Sequence, residues 1–375
     1  MPPDASARAA LLRQRLVVCV GAGGVGKTTT AAALAMAAAM RGRATAVITV
    51  DPSRRLKDAL GLGELSSEPR PVAVGSGAGS LEALALDTKR TFDRLIARVA
   101  PSPELAQRIL ANRLYQELSS ELGGSTEYMA MEKLYELVHQ ERYELIVVDT
   151  PPSADLRALL TAPLRMTELL ASQAIDFLKA PSSIITGSES SVMRLTLAAV
   201  LKALERWTGM TLLSELSDFV GGFEQLVDGF RARARAIHQA LRAPDTSFVI
   251  VTTPEPHTIA ATLAFDRELR DGGFPVAGII ANRVYGFPPR PSDTGLRAPA
   301  ALRTKLASNY ADFAALTERD RAALSVLHAA TGASLLAELP VFEDAPSSLA
   351  GLRRVAEQLA AAHAASSRRE RRAPP

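Results

Sequence analysis

The stretch G-A-G-G-V-G-K-T-T-T, from Gly21 to Thr30, carries residue types at a spacing that suits the handling of a phosphate chain. It fits the pattern Gly-x-x-x-x-Gly-Lys-Ser/Thr, with Gly21 and Gly26 framing a turn and Lys27 and Thr28 closing it. Glycines let successive backbone N–H groups turn inward and approach phosphate oxygens, because no Cβ blocks the dihedrals or the approach. The expected nucleotide-binding set is Gly21, Gly23, Gly24, Val25, Gly26, Lys27, Thr28 and Thr29. Lys27 would neutralise the β and γ phosphates, and the Thr28 hydroxyl would ligate a Mg2+ ion that keeps several waters. The alanine-rich segment Ala31 to Met40 follows as a helix whose positive dipole end faces the same point. A glycine-rich turn before an alanine helix would account for two glycines, but not for Lys-Thr placed after a buried strand.

Two acids stand where a second part of such a site belongs. In an open α/β sheet, ligands sit at the carboxyl ends of the strands. Asp51 follows I-T-V, and Asp149 follows L-I-V-V and opens D-T-P-P-S. Asp149 is placed to hold magnesium, directly or through water, and Asp51 to orient an attacking water. A strand-end Asp also serves as a turn or cap residue, so both uses stand for each position.

The elements that must position these residues are visible as short β-branched runs: Leu16 to Val20, Thr45 to Val50, Leu81 to Leu86, Glu144 to Asp149, Ser247 to Thr252, Val276 to Ala281 and Leu335 to Leu339. Several are apolar throughout, the mark of strands covered on both faces, which predicts an α/β fold with a mainly parallel, doubly wound sheet. Two long stretches lack a strand pattern and read as helical. They predict an inserted α-helical subdomain from about 88–140 and 153–243, within a single domain spanning 1–365. Leu212, Leu216, Phe219, Phe223, Leu226 and Phe230 step by three or four, forming one apolar stripe on a helix from about Thr211 to Leu241. That stripe suits the subdomain's own core or a client-facing groove. Met129, Met131, Met166 and Met193 suit either core filling or an adaptable surface. Gly75 to Ser80 reads as a flexible connection and Phe287 to Gly295 as a proline-rich loop.

Composition narrows the function. The 375 residues include 47% hydrophobic types, enough for a large core, and carry a net charge of +3. The last eight residues, R-R-E-R-R-A-P-P, hold four arginines and one glutamate, so the tail supplies the whole excess. A nucleic-acid partner is therefore not expected. Residues 366–375 read as a basic disordered tail, a composition that also suits contact with anionic lipid or nucleic acid. Cys19 is the single cysteine, which excludes a disulfide framework and a Cys-x-x-Cys site. The five histidines are scattered without ligand spacing. No secretory pattern opens the chain and no apolar run of about eighteen residues occurs, so a soluble, cytoplasmic protein is expected.

Taken in order, these stretches resemble the ArsA-like ATPases, a family that includes the arsenical pump-driving ATPase and the targeting factor for tail-anchored membrane proteins. The resemblance rests on G-G-V-G-K-T-T at Gly23 to Thr29, V-D-P-S with D-A-L at Val50 to Leu60, V-D-T-P-P-S at Val148 to Ser153, T-P-E at Thr253 to Glu255, A-N-R at Ala281 to Arg283 and L-P-V-F at Leu339 to Phe342. It implies a P-loop NTPase fold that uses ATP and Mg2+. It further implies that Asp51 belongs to switch I and activates water, acting with Lys27 in catalysis. Asp149 would belong to switch II and share the metal with Thr28, while Asn282 reads adenine with Pro340 beside the base. The family precedent is a homodimer, or a dimer with a paralogue, that closes around ATP and serves a hydrophobic client or membrane partner. A nucleotide-gated scaffold with little turnover is the alternative, and a ParA-like or MinD-like positioning ATPase a further one, though such chains lack so large a helical insertion.

Three features depart from the family pattern. Ala22 stands where the family carries a lysine that reaches the partner subunit's phosphates. Arg54 or Arg55 could supply a cation instead, although exposed arginines on a helix are as readily solvated. The cysteines that bind arsenite or antimonite, or bridge a dimer through zinc, have no counterpart. Switch II continues as S-A-D-L-R-A-L-L rather than with Thr-Gly-His.

Overall fold

A computed structural model describes residues 3–51, 55–75, 79–112, 115–116, 126–151, 158, 160–162, 164–165, 226–286, 299–343, 346 and 348–360. Arg54, Met166, Met193, Leu212, Leu216, Phe219, Phe223, the loop Phe287 to Gly295 and the tail 366–375 lie outside the described residues. The chain divides into two units. One comprises Met1–Leu86, Leu137–Arg157 and Leu241–Pro375, and the other Asp87–Glu136 and Ala158–Ala240.

The first unit is built on an eight-stranded sheet: β1 (Leu16–Val20), β2 (Ala44–Thr49), β3 (Arg70–Val72), β4 (Ser80–Ala85), β5 (Leu145–Asp149), β6 (Thr246–Thr252), β7 (Val276–Val284) and β8 (Leu335–Pro340). Their spatial order is β3-β4-β2-β5-β1-β6-β7-β8. Every neighbouring pair is parallel except β3 with β4. The seven β-branched runs each become a strand with a parallel neighbour. The eighth, β3, has no pattern to announce it: it is three residues long, contains Pro71 and pairs antiparallel at the sheet edge, where a missing N–H is tolerated.

β1 is wholly buried between β5 and β6, with Cys19 opposite Asp149 and Val20 opposite Ile250. Of the helices α1 (Ala5–Leu11), α2 (Lys27–Ala39) and α3 (Arg55–Ala59), α2 matters most. Eleven of its thirteen residues are buried. Alanine has the strongest helix propensity and no bulk, so α2 can be surrounded on all sides and lie close to the sheet. Val17, Cys19, Val47, Val147 and Val249 form one core cluster with α2 and with Leu352, Val355 and Leu359.

In the second unit, α4 (Thr88–Val99) and α5 (Pro103–Ala111) begin with capping side chains. Asp87 accepts from the Arg90 N–H at 2.9 Å and Ser102 from the Leu105 N–H at 3.2 Å. They are followed by α6 (Thr126–His139) and α7 (Val227–Leu241). Phe92 meets Tyr115 and Phe230 at ring-centroid distances of 5.6 and 6.3 Å. Arg233 binds the buried Glu132 carboxylate at 2.7 and 3.0 Å through Nε. Met129, Met131, Leu226 and Phe230 are buried, so these members of the methionine set and the stripe are core.

The remaining helices belong to the first unit: α8 (Pro256–Asp271), α9 (Ala300–Thr331) and α10 (Leu349–Ala360). Among the described residues no helix is long and apolar enough to cross a membrane.

Candidate functional site

The chain leaves β1 toward β2 on one side of the sheet, and leaves β6 toward β7 on the other. The carboxyl ends of β1 and β6 therefore frame a topological switch point, where a crevice opens in sheets of this type. The glycine loop lies there, and two of its glycines are required by contact. A Cβ on Gly21 would stand 2.2 Å from the Val251 carbonyl oxygen of β6, and one on Gly26 would stand 2.2 Å from Asn282 Nδ2. Gly26 is also left-handed, with φ +94°, and caps α2 without any side-chain hydrogen bond. The first-turn N–H groups of α2 thus have no capping side chain, and the helix dipole adds positive potential at that point.

Lys27 is 7% exposed, and its Nζ donates to the carbonyl oxygens of Gly21 and Ala22, both at 2.9 Å. The ammonium is folded back across the loop's own backbone. Burial lowers its pKa, with Asp149 and Asp51 opposing that effect. Asp149 is the last residue of β5 and is fully buried. The Thr49 hydroxyl donates to its Oδ2 at 3.0 Å, while its Oδ1 is buried without a hydrogen-bond partner. Burial pushes the carboxyl up to about 6, against the Thr28 and Thr49 hydroxyls and Lys27. Next to it, the Thr150 hydroxyl donates to the Cys19 carbonyl at 2.7 Å, fastening the end of β5 to β1. Cys19 is buried, and burial raises its thiol pKa.

A cleft of about 780 Å³ lies over these groups. Gly24, Gly26, Lys27, Thr28, Thr29, Asp51, Asn282 and Pro340 all line it. Gly21 and Val25 are buried parts of the loop, Gly23 is exposed on it, and Asp149 lies at the end of β5 rather than on the cleft wall. Arg55 also lines the cleft at the start of α3. Asp58, Thr150, Arg283, Phe342 and Glu343 join the lining without having been singled out by sequence. Phe342 and Arg283 sit in the L-P-V-F and A-N-R stretches, so their motifs were the available signal. Thr49 has no local signal, since only the β2–β5 pairing, with Thr49 opposite Asp149, brings its hydroxyl there.

The donors suit magnesium. A buried carboxylate oxygen without a partner and a threonine hydroxyl are hard oxygen ligands, and Mg2+ takes only one or two such groups beside phosphates and water. Among the described residues no group of three or more His, Cys, Asp or Glu forms an all-protein metal cage. A magnesium site of this kind needs none.

A parallel sheet with a glycine loop, Lys-Thr and a buried helix after its central strand defines a P-loop NTPase fold. The sequence profile of the anion-transporting ATPases, the ArsA ATPase family, matches residues 14–305, and the chain belongs to that family. It is 32% identical over 143 residues to "ATPase ASNA1 homolog 1" of Paramecium tetraurelia, covering 38% of this chain and 42% of that protein. It is 30% identical over 158 residues to "ATPase get3" of Aspergillus terreus, covering 42% and 45%. A third relative is "Protein Rv2184c" of Mycobacterium tuberculosis, 33% identical over 158 residues, 40% of this chain and 37% of that one. The chain thus spans less than half the length of each of these relatives.

Proposed function

We propose that this chain binds Mg-ATP in the cleft and hydrolyses it to ADP and phosphate, working as a dimeric cytoplasmic switch for a hydrophobic client or membrane partner. The observation that carries the chemical part is the buried, unpartnered Oδ1 of Asp149 beside a left-handed glycine cap and Lys27. Leaving a buried carboxylate oxygen unpaired is costly, and a cation arriving with the phosphates would satisfy it. Lys27 would exchange two carbonyl acceptors for phosphate oxygens, a stronger pairing because both partners are charged. Thr28 and Asp149 would hold magnesium, which when bound neutralises charge on the phosphate oxygens. Asp51, on the cleft wall, would accept a hydrogen bond from the attacking water and orient it. Asn282 and Pro340 line the same cleft, consistent with a base lying toward the ends of β7 and β8.

The dimer and the client rest on the family precedent alone. Ala22 removes one cross-subunit cation from that precedent, which favours slow turnover and keeps a nucleotide-gated scaffold as the second reading. Steady-state phosphate release decides between them. The proposal expects turnover that Asp51→Asn lowers at least tenfold, with Mg-ATP affinity retained. Binding without turnover in the parent would leave the scaffold, and equal loss of binding in the variant would move Asp51 to ligand or structural duty.

A further inference from the structure

We infer that Asn282 is a positioning residue for the phosphate loop, acting through Val25 whether or not a base is present. Its Nδ2 donates to the Val25 carbonyl at 2.8 Å, and its Oδ1 accepts from the Arg283 N–H at 3.0 Å. Val25 offers only an acceptor there and the Arg283 N–H only a donor, so one amide orientation satisfies both. The backbone is shaped for this contact. Arg283 has φ +56°, uncommon for a residue with a Cβ, and the β7–β8 register shifts between Ala281 and Val284. The ladder is interrupted at Asn282 and Arg283 and resumes at Val284, opposite Pro340. Gly26 leaves room for the contact, since any Cβ there would stand 2.2 Å from Nδ2.

Reaching from β7 across 257 positions of sequence, the tie therefore fixes the peptide between Val25 and Gly26. That peptide's N–H belongs to Gly26 and is one of the donors expected to face a phosphate. One of the two N–H donors and one of the two acceptor lone pairs of the amide that the family precedent assigns to adenine are engaged by the protein itself. Base and loop must then share one side chain, so perturbing it weakens binding of a phosphate chain that carries no base.

The inference rests on the nucleotide reading above, and its test separates the two. Asn282→Asp keeps the acceptor for Arg283 but places a carboxylate oxygen against the Val25 carbonyl. The full-length variant should bind Mg-tripolyphosphate about tenfold more weakly than the parent, the loss expected of one broken hydrogen bond with a repulsive contact, and Mg-ATP more weakly by at least that factor. Amide exchange at Gly26 and Lys27 should quicken in the ligand-free protein. Asn282→Ala, which adds no charge, should give the same pattern. Unchanged tripolyphosphate affinity with weakened ATP would make Asn282 a base reader only and overturn the inference. A lower melting temperature with unchanged affinities and exchange would make it a brace of the fold, and would overturn it equally. If the parent binds neither ligand, the nucleotide reading fails, and the exchange rates alone decide: faster exchange upholds the tie, and unchanged exchange refutes it.

Discussion

Replacing Asp149 by asparagine should stabilise the ligand-free protein at neutral pH while removing its response to magnesium nucleotide. Burial raises this carboxyl from 3.8 to about 6, outweighing the Thr28 and Thr49 hydroxyls and Lys27, which pull it down. The folded protein thus holds the proton more tightly than the unfolded chain does. Between those two pKa values the unfolded state binds fewer protons, so stability falls as pH rises, and the loss is complete above the folded pKa. The shift from 3.8 to about 6 corresponds to about 3 kcal/mol in full, of which about 1.4 kcal/mol falls between about pH 5 and 7.5. Asparagine does not titrate, but its N–H2 would stand where Oδ1 now has no partner, and an unpaired donor costs about 1–2 kcal/mol. Ionisation outweighs that cost at neutral pH. Urea denaturation should find Asp149→Asn about 1–2 kcal/mol more stable than the parent near pH 7.5, with the advantage shrinking by about 1.4 kcal/mol near pH 5. Mg-ATP should raise the midpoint of the parent but not that of the variant. A stability difference that stays flat between the two pH values would refute the assignment of a strained, ionised Asp149.

Lys27→Ala should abolish ATP binding in isothermal titration, because the loop loses the ammonium now held by Gly21 and Ala22; unchanged affinity would sink the site. Gly26→Ala should cost about 1–3 kcal/mol in urea denaturation, from a left-handed alanine and a Cβ driven against Asn282, and an unshifted midpoint would count against the tie to Val25. Arg55→Ala, made in the Asp51→Asn background, should weaken ATP-induced dimerisation in sedimentation if the arginine compensates for Ala22, whereas equal association would make Arg55 a solvated surface residue.

The parallel strands were legible as short apolar or β-branched runs, most plainly where a strand is buried on both faces, as β1, β5 and β6 are. β3 was not, because three edge residues held by pairing to β4 have no periodicity of their own. The glycine loop was legible for a different reason. Its residues are adjacent in sequence, and its backbone must meet a constraint that few residue types satisfy.

Contacts across the sheet had no such signal. Thr49 reaches Asp149 across 100 positions, and Asn282 reaches Val25 across 257. Neither partner's sequence neighbourhood records the meeting, because the pairing of β2 with β5 and the register shift within β7 create it. The one local trace is Gly26. A left-handed turn with φ +94° already favours a glycine there. The second requirement is the Asn282 amide, which occupies the place of a Cβ. A glycine under both constraints records a side chain arriving from elsewhere in the fold. At Gly21 the Val251 carbonyl has the same effect. The two framing glycines of the loop are thus set as much by β6 and β7 as by the phosphate they are proposed to hold.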